Sequence, residues 1–409
     1  MTSGFLGPRA SHATPGIGSG LSVAIVGAGI GGLTAALALD AAGHRVTLIE
    51  RRTGFSEVGA GLQLSPNASR VLIALGLGPA LRRAASEPPR VVVRALATAR
   101  EIGGVELGAD LRGRHGAPYY VIHRADLQTL LLDAVRGRPG IRLLMGRDVK
   151  GLTETKTSVE LTLESGQGSK SDSLSVDLVV GADGVRSTLR GHFDGRPLKS
   201  CGEAAWRATI PRDAAPPELQ GDETGLWLGR RRHVVHYPIQ GGQSINIVAV
   251  VPERLGSEDW GQLGEPAVLR AQFADAAPIL AGLLSVPDSW LVWSLVDRPT
   301  ARPMARGRVA LVGDAAHPVL PFLAQGAALA IEDAAVLALT LRADDVPASL
   351  AAYAGTRASR TRRVQSAARG NGRTYHAGKL IGFARNAVMR RLGPSGMGRR
   401  YDWLYGWAP

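Results

Sequence analysis

The sequence predicts an α/β protein with a doubly wound, Rossmann-like unit on a parallel sheet, a second unit built on a mixed, largely antiparallel sheet, and a helical C-terminal segment. Three observations predict it. An apolar run, a glycine-rich turn, an apolar helical stretch and a second apolar run follow one another over Leu21–Glu50, the order of a parallel βαβ unit. From about Cys201 to Val296, short alternating or β-branched runs are separated by Gly, Pro and charge, the pattern of antiparallel strands. Beyond Pro347 the pattern is helical and rich in Arg, and it closes on Tyr401, Trp403, Tyr405 and Trp407.

In chain order, Leu21–Val26 reads as a buried strand, Leu33–Ala42 as a helix ending at Gly43, and Arg45–Ile49 as a second strand closed by Glu50. Leu21–Leu39 is uncharged for 19 residues, but glycines 27, 29, 31 and 32 interrupt it, so a strand, turn and helix explain it better than a membrane span. Asp126–Val135 reads as a helix, and Leu143–Val149, Ser158–Leu163 and Asp177–Gly181 as strands. Ala204–Ile210, Gly225–Leu228, His233–Pro238 and Ser244–Val251 form the second sheet, with a helix over Ala267–Leu284. Val309–Val312 is again a buried strand, followed by an apolar helix over Gly326–Leu341.

Composition fits a folded chain of two or three domains: 409 residues, 45% apolar and 20% charged. With 48 basic against 35 acidic residues the net charge is +13, which raises polyanions, membrane surfaces and anionic small molecules as partners. The charge is localised, however. Residues 342–409 hold thirteen basic and three acidic side chains, so a solvated Arg-rich face, or modest steering of an anionic substrate, explains it better than a nucleic-acid or membrane site. The first twenty residues lack the apolar core of a secretory signal and read as a disordered extension. Cys201 stands alone, so it forms no intramolecular disulfide and is expected as a buried or inert thiol; no metal-ligand cluster is apparent.

Three motifs carry chemistry. Gly27-Ala-Gly29-Ile-Gly31-Gly32 follows a strand and opens a helix, with Glu50 at the end of the next strand. Glycines there permit a tight turn and close backbone approach to a pyrophosphate, the helix N-terminus supplies free N–H groups, and the carboxylate suits ribose hydroxyls. This predicts a dinucleotide without choosing between FAD and NAD. Gly181-Ala-Asp183-Gly184-Val-Arg186-Ser187 and Gly313-Asp314-Ala-Ala-His317-Pro318 each end a predicted buried strand. Ligands of open α/β sheets bind at such ends.

In this order the three motifs resemble those of flavin-dependent aromatic hydroxylases of the para-hydroxybenzoate hydroxylase fold. Gly59-Ala-Gly61-Leu-Gln63-Leu-Ser-Pro66-Asn67-Ala, His123-Arg124-Ala-Asp126-Leu, Tyr237-Pro238, Ala324-Gln325-Gly326 and Asp402-Trp403-Leu-Tyr405-Gly are similar to the salicylate hydroxylase branch. That branch includes 3-hydroxybenzoate 6-hydroxylase and 6-hydroxynicotinate 3-monooxygenase. The resemblance implies that Gly27, Gly29 and Gly32 with Glu50 and Arg51 bind the ADP half of FAD, that Arg124 contacts its flavin side, and that Asp314 holds the ribityl or pyrophosphate region. Gly326 and Ala327, opening a helix, would face the flavin carbonyl and N1, where a helix N-terminus suits negative charge. Asp183 and Arg186 would help bind FAD and the nicotinamide nucleotide together, while His317 reads as structural. Pro321 stands where 3-hydroxybenzoate 6-hydroxylases tend to place Gln.

The candidate catalytic residues are His233, His236 and Tyr237. On a strand His233 and Tyr237 share a face and His236 takes the other, unless Pro238 bends it. A phenol hydroxylase needs a base near neutral pKa and polar groups for a carboxylate, which His and Tyr supply. Gln63 is a further candidate. The activity implied is an NAD(P)H- and O2-dependent FAD monooxygenase that hydroxylates a small phenolic aromatic acid through a flavin C4a-hydroperoxide. The alternative is tailoring of a larger metabolite by hydroxylation or epoxidation. The expected setting is the cytoplasm, as a monomer or homodimer, with NADH the expected donor. Residues 21–85, 119–200 and 297–345 are expected as a discontinuous FAD-binding domain, 86–118 and 201–296 as the substrate domain, and 346–409 as the C-terminal segment.

Overall fold

The computed structural model describes residues 20–55, 61–165, 171–253 and 260–409. Residues 1–19 of the expected extension, and Gly59 and Ala60 of the Gln63 motif, lie outside the described residues.

A six-stranded sheet carries the cofactor motifs. Its order is Ala305–Arg306, Val309–Leu311, Leu178–Gly181, Ser22–Val26, Arg45–Glu50, Ile141–Met145, and every neighbouring pair except the first is parallel. The two central strands, Leu178–Gly181 and Ser22–Val26, are apolar and buried apart from Ser22 at the entry of the second, because helices cover them. The helix Ile30–Ala41 packs on one side of the Gly27 turn and against the helix Gly326–Thr340. The strand ends Val26, Gly181 and Leu311 lie side by side, which brings the three glycine motifs to one edge.

The second sheet has eight strands in the order Trp260–Gly264, Trp290–Asp297, Lys199–Pro211, Ser244–Pro252, Arg232–Ile239, Thr224–Gly229, Arg90–Ala95, Glu101–Glu106; only the pair of Thr224–Gly229 with Arg90–Ala95 is parallel. Its outer face is a core of Trp206, Trp227, Val234 and Ile247 beneath two short helices. Those helices, Pro266–Gln272 and Pro278–Ser285, replace the single helix expected over Ala267–Leu284. Pro278 lacks an amide hydrogen and starts a new helix after Ala277. Similarly, Leu143–Val149 divides into the ends of two strands at Gly146, whose φ of 66° turns the chain.

The C-terminal segment is a helix over Val346–Tyr375, capped by Asp345 accepting from the Ala348 amide at 3.0 Å, then helices Lys379–Arg399 and Asp402–Tyr405. It is not simply a solvated Arg-rich face. Arg357 is fully buried against Glu332 and Asp333, Arg360 pairs with Glu332 at 2.7 Å, and Arg369 grips Asp297 through two bonds of 2.7 and 2.9 Å. Cys201 is exposed rather than buried. Partial desolvation, then Asp297 and Glu203, push its thiol up to about 12, so it is inert as a nucleophile at neutral pH. Among the described residues no helix is long and apolar enough to cross a membrane.

Candidate active site

A cleft of about 610 Å³ opens along the edge where the strand ends meet, and seven of the expected cofactor residues line it: Gly27, Gly29, Glu50, Arg51, Arg124, Asp183 and Arg186. The loop geometry explains the glycines. Gly27 has a φ of 103°, and a Cβ there would lie 2.5 Å from the Ala182 carbonyl oxygen. At Gly32 it would lie 1.9 Å from the Gly27 oxygen, so only a glycine fits where the loop closes on itself. At Gly29 a Cβ would meet nothing within 4 Å, which leaves open space above the N-terminus of the helix. Glu50 accepts from the Ala28 amide at 2.9 Å and from the Arg52 amide at 3.0 Å, so it closes the loop as well as facing the cleft. A carboxylate has acceptor capacity beyond those two bonds.

Asp183 has two duties. Its Oδ2 accepts from the Thr188 amide at 2.9 Å, which caps the following turn, while its buried Oδ1 has no hydrogen-bond partner among the described residues. Asp314 is exposed and does not line the cleft, although protein atoms surround it. That desolvation raises its carboxyl pKa, with His317 and Arg124 opposing. Gly326 and Ala327 begin a 15-residue helix and are partly exposed. Two motifs distant in sequence are locked beneath it: Asn67 donates to Gln325 at 3.0 Å and to Glu332 at 2.6 Å, and Gln325 donates to Ser65 at 2.9 Å.

Sequence reasoning missed the residues that hold these motifs. Asp333 accepts from the Gly313 amide at 2.8 Å, lies 2.6 Å from His317 Nε2, and takes Arg357 Nε at 2.6 Å. His317 is therefore a buried fastening. Arg190, also buried, donates to the Ala316 carbonyl at 2.8 Å and to Pro299 at 2.6 Å, which ties the second motif to the third. A signal existed: Glu332 and Asp333 are the one charged pair in an otherwise apolar helix.

On the inner face of the eight-stranded sheet, Arg207 lies within electrostatic reach of Arg124, which lines the cleft. Register places His233, Val250 and Ala205 in one cross-strand row, Val235, Val248 and Arg207 in the next, and Tyr237, Asn246 and Thr209 in the third. His233, Tyr237 and Arg207 thus share a face, together with Asn246, which accepts from the Gly61 amide at 2.6 Å. His236 does not join them. It pairs with Ile247 on the outer face, 6.2 Å from the Trp227 ring, and burial, then Arg94, push it down to about 4. The Pro238 bend does not rescue it, because the ladder continues through Ile239. Gln63 accepts from the Tyr119 hydroxyl at 2.5 Å, and Tyr119 lies within electrostatic reach of Tyr237. Arg207 was not anticipated. It stacks over Trp293 at 5.2 Å, and its buried Nε has no hydrogen-bond partner among the described residues.

The profile of the family described as an FAD binding domain matches residues 20–368. A 3-hydroxybenzoate 6-hydroxylase from Polaromonas naphthalenivorans is 34% identical over 95% of this chain and 96% of its own length. The chain belongs to the FAD-dependent aromatic hydroxylases. A 6-hydroxynicotinate 3-monooxygenase from Bordetella bronchiseptica is 33% identical over 85% of this chain and 91% of its own. Among solved structures, a salicylate hydroxylase substrate complex superposes with a TM-score of 0.80 at 26% identity, covering 95% of this chain and 96% of the other. Klebsiella pneumoniae HpxO complexed with FAD and uric acid gives 0.80 at 27% identity, covering 94% and 96%.

As a member of this hydroxylase family the protein uses FAD, and its cleft fits the cofactor. The open space over Gly29 accepts a pyrophosphate, and the free helix amides behind it favour the charge. Burial raises the pKa of the Tyr237 hydroxyl, against Arg207, so it stays protonated. Burial, then His376, holds His233 well below the usual histidine value, so this hydroxylase carries a neutral imidazole on its inner face.

Proposed function

We propose that the protein hydroxylates a small phenolic aromatic acid, using NAD(P)H and O2. FAD, when bound, would supply the redox chemistry that lets NAD(P)H and O2 deliver an electrophilic oxygen. Gly27, Gly29, Glu50 and Arg51 hold the ADP half, Arg124 and Asp314 the ribityl and flavin side, and Gly326 and Ala327 the isoalloxazine carbonyl; Asp183 and Arg186 serve the phosphates and the incoming nucleotide.

The observation that carries the reading is Arg207. A guanidinium whose Nε is buried without a partner suits a carboxylate, which accepts in the plane of the fork. It shares a face with a neutral His233, a proton acceptor for a phenol, and with Tyr237, a hydroxyl that both donates and accepts. Removing the phenolic proton enriches the ring in electrons and favours attack on the oxygen. The names of relatives that act on hydroxybenzoates and 6-hydroxynicotinate support the same class.

On this reading residues 21–85, 119–200 and 297–345 form the FAD-binding domain, 86–118 and 201–296 the substrate domain and 346–409 a brace across both, in a cytoplasmic enzyme supplied with NADH. The test is the FAD-loaded protein with salicylate, 3-hydroxybenzoate, 6-hydroxynicotinate and their decarboxylated phenols. We expect at least one acid, and not its phenol, to perturb the flavin spectrum and accelerate NAD(P)H oxidation with a hydroxylated product. If no ring does so, the reading fails.

A further inference from the structure

A polar chain leads from the inner face of the sheet to a cavity that shares no lining residue with the cofactor cleft. His233 Nδ1 lies 2.8 Å from His376 Nε2, and His376 Nδ1 lies 2.8 Å from Glu203 Oε1. The three side chains come from three elements: the strand Arg232–Ile239, the C-terminal end of the helix Val346–Tyr375, and the strand Lys199–Pro211. His376 is held by its backbone on both sides, its amide donating to Gly372 at 3.0 Å and its carbonyl accepting from the Arg231 amide at 3.2 Å. His233 is 4% exposed, packed 5.6 Å from the rings of both Phe322 and Tyr375. Glu203 and His376 line a separate cavity of about 680 Å³ that is open to solvent and also lined by Arg231, Arg369 and Arg373. The chain therefore runs from a buried ring to bulk water.

One arrangement of protons satisfies both contacts with neutral rings. A carboxylate only accepts, so a neutral His376 beside it carries its proton on Nδ1 and presents Nε2 as an acceptor. His233 must then donate from Nδ1, which leaves a bare lone pair on its Nε2. No described residue takes up that nitrogen.

We propose that His376 and Glu203 are positioning residues that hold His233 in the Nδ1–H tautomer and conduct the substrate's phenolic proton to solvent. This rests on the reading of the site as a phenol hydroxylase. In the step, the phenolic O–H bond breaks and its proton goes to His233 Nε2, leaving the electron pair on a phenolate. The proton on His233 Nδ1 passes to His376 Nε2, the one on His376 Nδ1 passes to Glu203, and Glu203 releases it to water in the cavity. One proton leaves and each histidine ends neutral, in its other tautomer, until the rings reset. Burial, then His376, disfavours charge on His233, so the ring starts neutral and no charge lingers there. The other ionisable groups facing the chain are Tyr375 beside His233, and Cys201, Arg231, Arg373 and the Arg369–Asp297 pair around the cavity.

The test uses the full FAD-loaded chain labelled with ¹⁵N-histidine. Imidazole nitrogen shifts, assigned through single variants, are expected to show His233 as the Nδ1–H tautomer. In His376→Phe, which keeps an aromatic ring in the stack without a nitrogen, that preference is expected to vanish. In turnover, His376→Phe and Glu203→Gln should each lower kcat about 10- to 100-fold at neutral pH. The loss should shrink as pH rises toward the phenol's own ionisation, while flavin-monitored substrate affinity is unchanged. An Nε2–H tautomer in the unmodified protein, or losses equal at every pH, would overturn the proposal. Should no phenol perturb the flavin at all, the proposed function falls and the proton's route with it, whereas the His233 tautomer still decides by itself whether His376 and Glu203 position the ring.

Discussion

Burying a guanidinium with an unpartnered Nε is costly unless a ligand completes it, and Arg207 bears that cost on the face shared by His233 and Tyr237. A charge-assisted bond of this kind contributes about 1.5–3 kcal/mol. Arg207→Met, which keeps the stem over Trp293, should therefore raise KM for the aromatic acid by about 10- to 100-fold and leave FAD content unchanged; an unaltered KM would remove Arg207 from the site. The two histidines separate just as cleanly. His233→Asn should cost about 10²- to 10⁴-fold in kcat, as expected on losing a general base, whereas His236→Gln should leave kcat alone and show only in the melting temperature. Equal kcat losses in the two variants would contradict the register. Alternation along the strand is legible in the sequence. Which face turns inward is not, because it depends on pairing with Asn246 and Val250 from another strand. Arg207 gave no local signal at all, since nothing near Trp206-Arg207 marks its face.

At the level of elements, the three strand-end motifs were legible because each encodes its own turn, and adjacency of the strands does the rest. What fastens them was not, because Asp333, Arg190 and Arg357 act across tertiary contacts that spacing does not record. Burial alone would raise the Asp333 carboxyl, but His317 and then Arg357 hold it below the usual range. The sign follows from linkage: a depressed pKa contributes stability above the unfolded value of about 3.9, and that stability is lost as pH falls through the folded value. Acid titration should thus release FAD below about pH 4, and Asp333→Asn should flatten that limb of the curve. Arg357→Met leaves Asp333 buried and less compensated, so it should cost about 3–5 kcal/mol and yield protein poor in flavin. Full flavin content with an unchanged melt in that variant would show the pair to be dispensable.

For the molecule as a whole, the C-terminal segment carries most of the net charge, yet carboxylates from elsewhere meet part of it: Glu332, Asp333 and Asp297 answer Arg357, Arg360 and Arg369. Arg390 and Arg391 are exposed on the helix Lys379–Arg399 and are the better candidates for long-range steering. Changing both to Glu should lower kcat/KM for an anionic substrate at low salt. The difference should close near 0.15 M, where the screening length is about 8 Å. A difference that persists at high salt would point to a contact instead of a field.

The Arg357–Asp333 contact also imposes an order of events during synthesis. Asp333 organises Gly313 and His317, but its guanidinium partner lies 24 residues later in the chain. While Arg357 is still inside the ribosome, the third strand-end motif has its carboxylate without the cation that compensates it, however well the Gly27 loop has formed. The third motif is therefore complete only once Arg357 has emerged, so capture of the flavin belongs to a late stage of synthesis, after the Gly27 loop and both of its neighbouring strands are available.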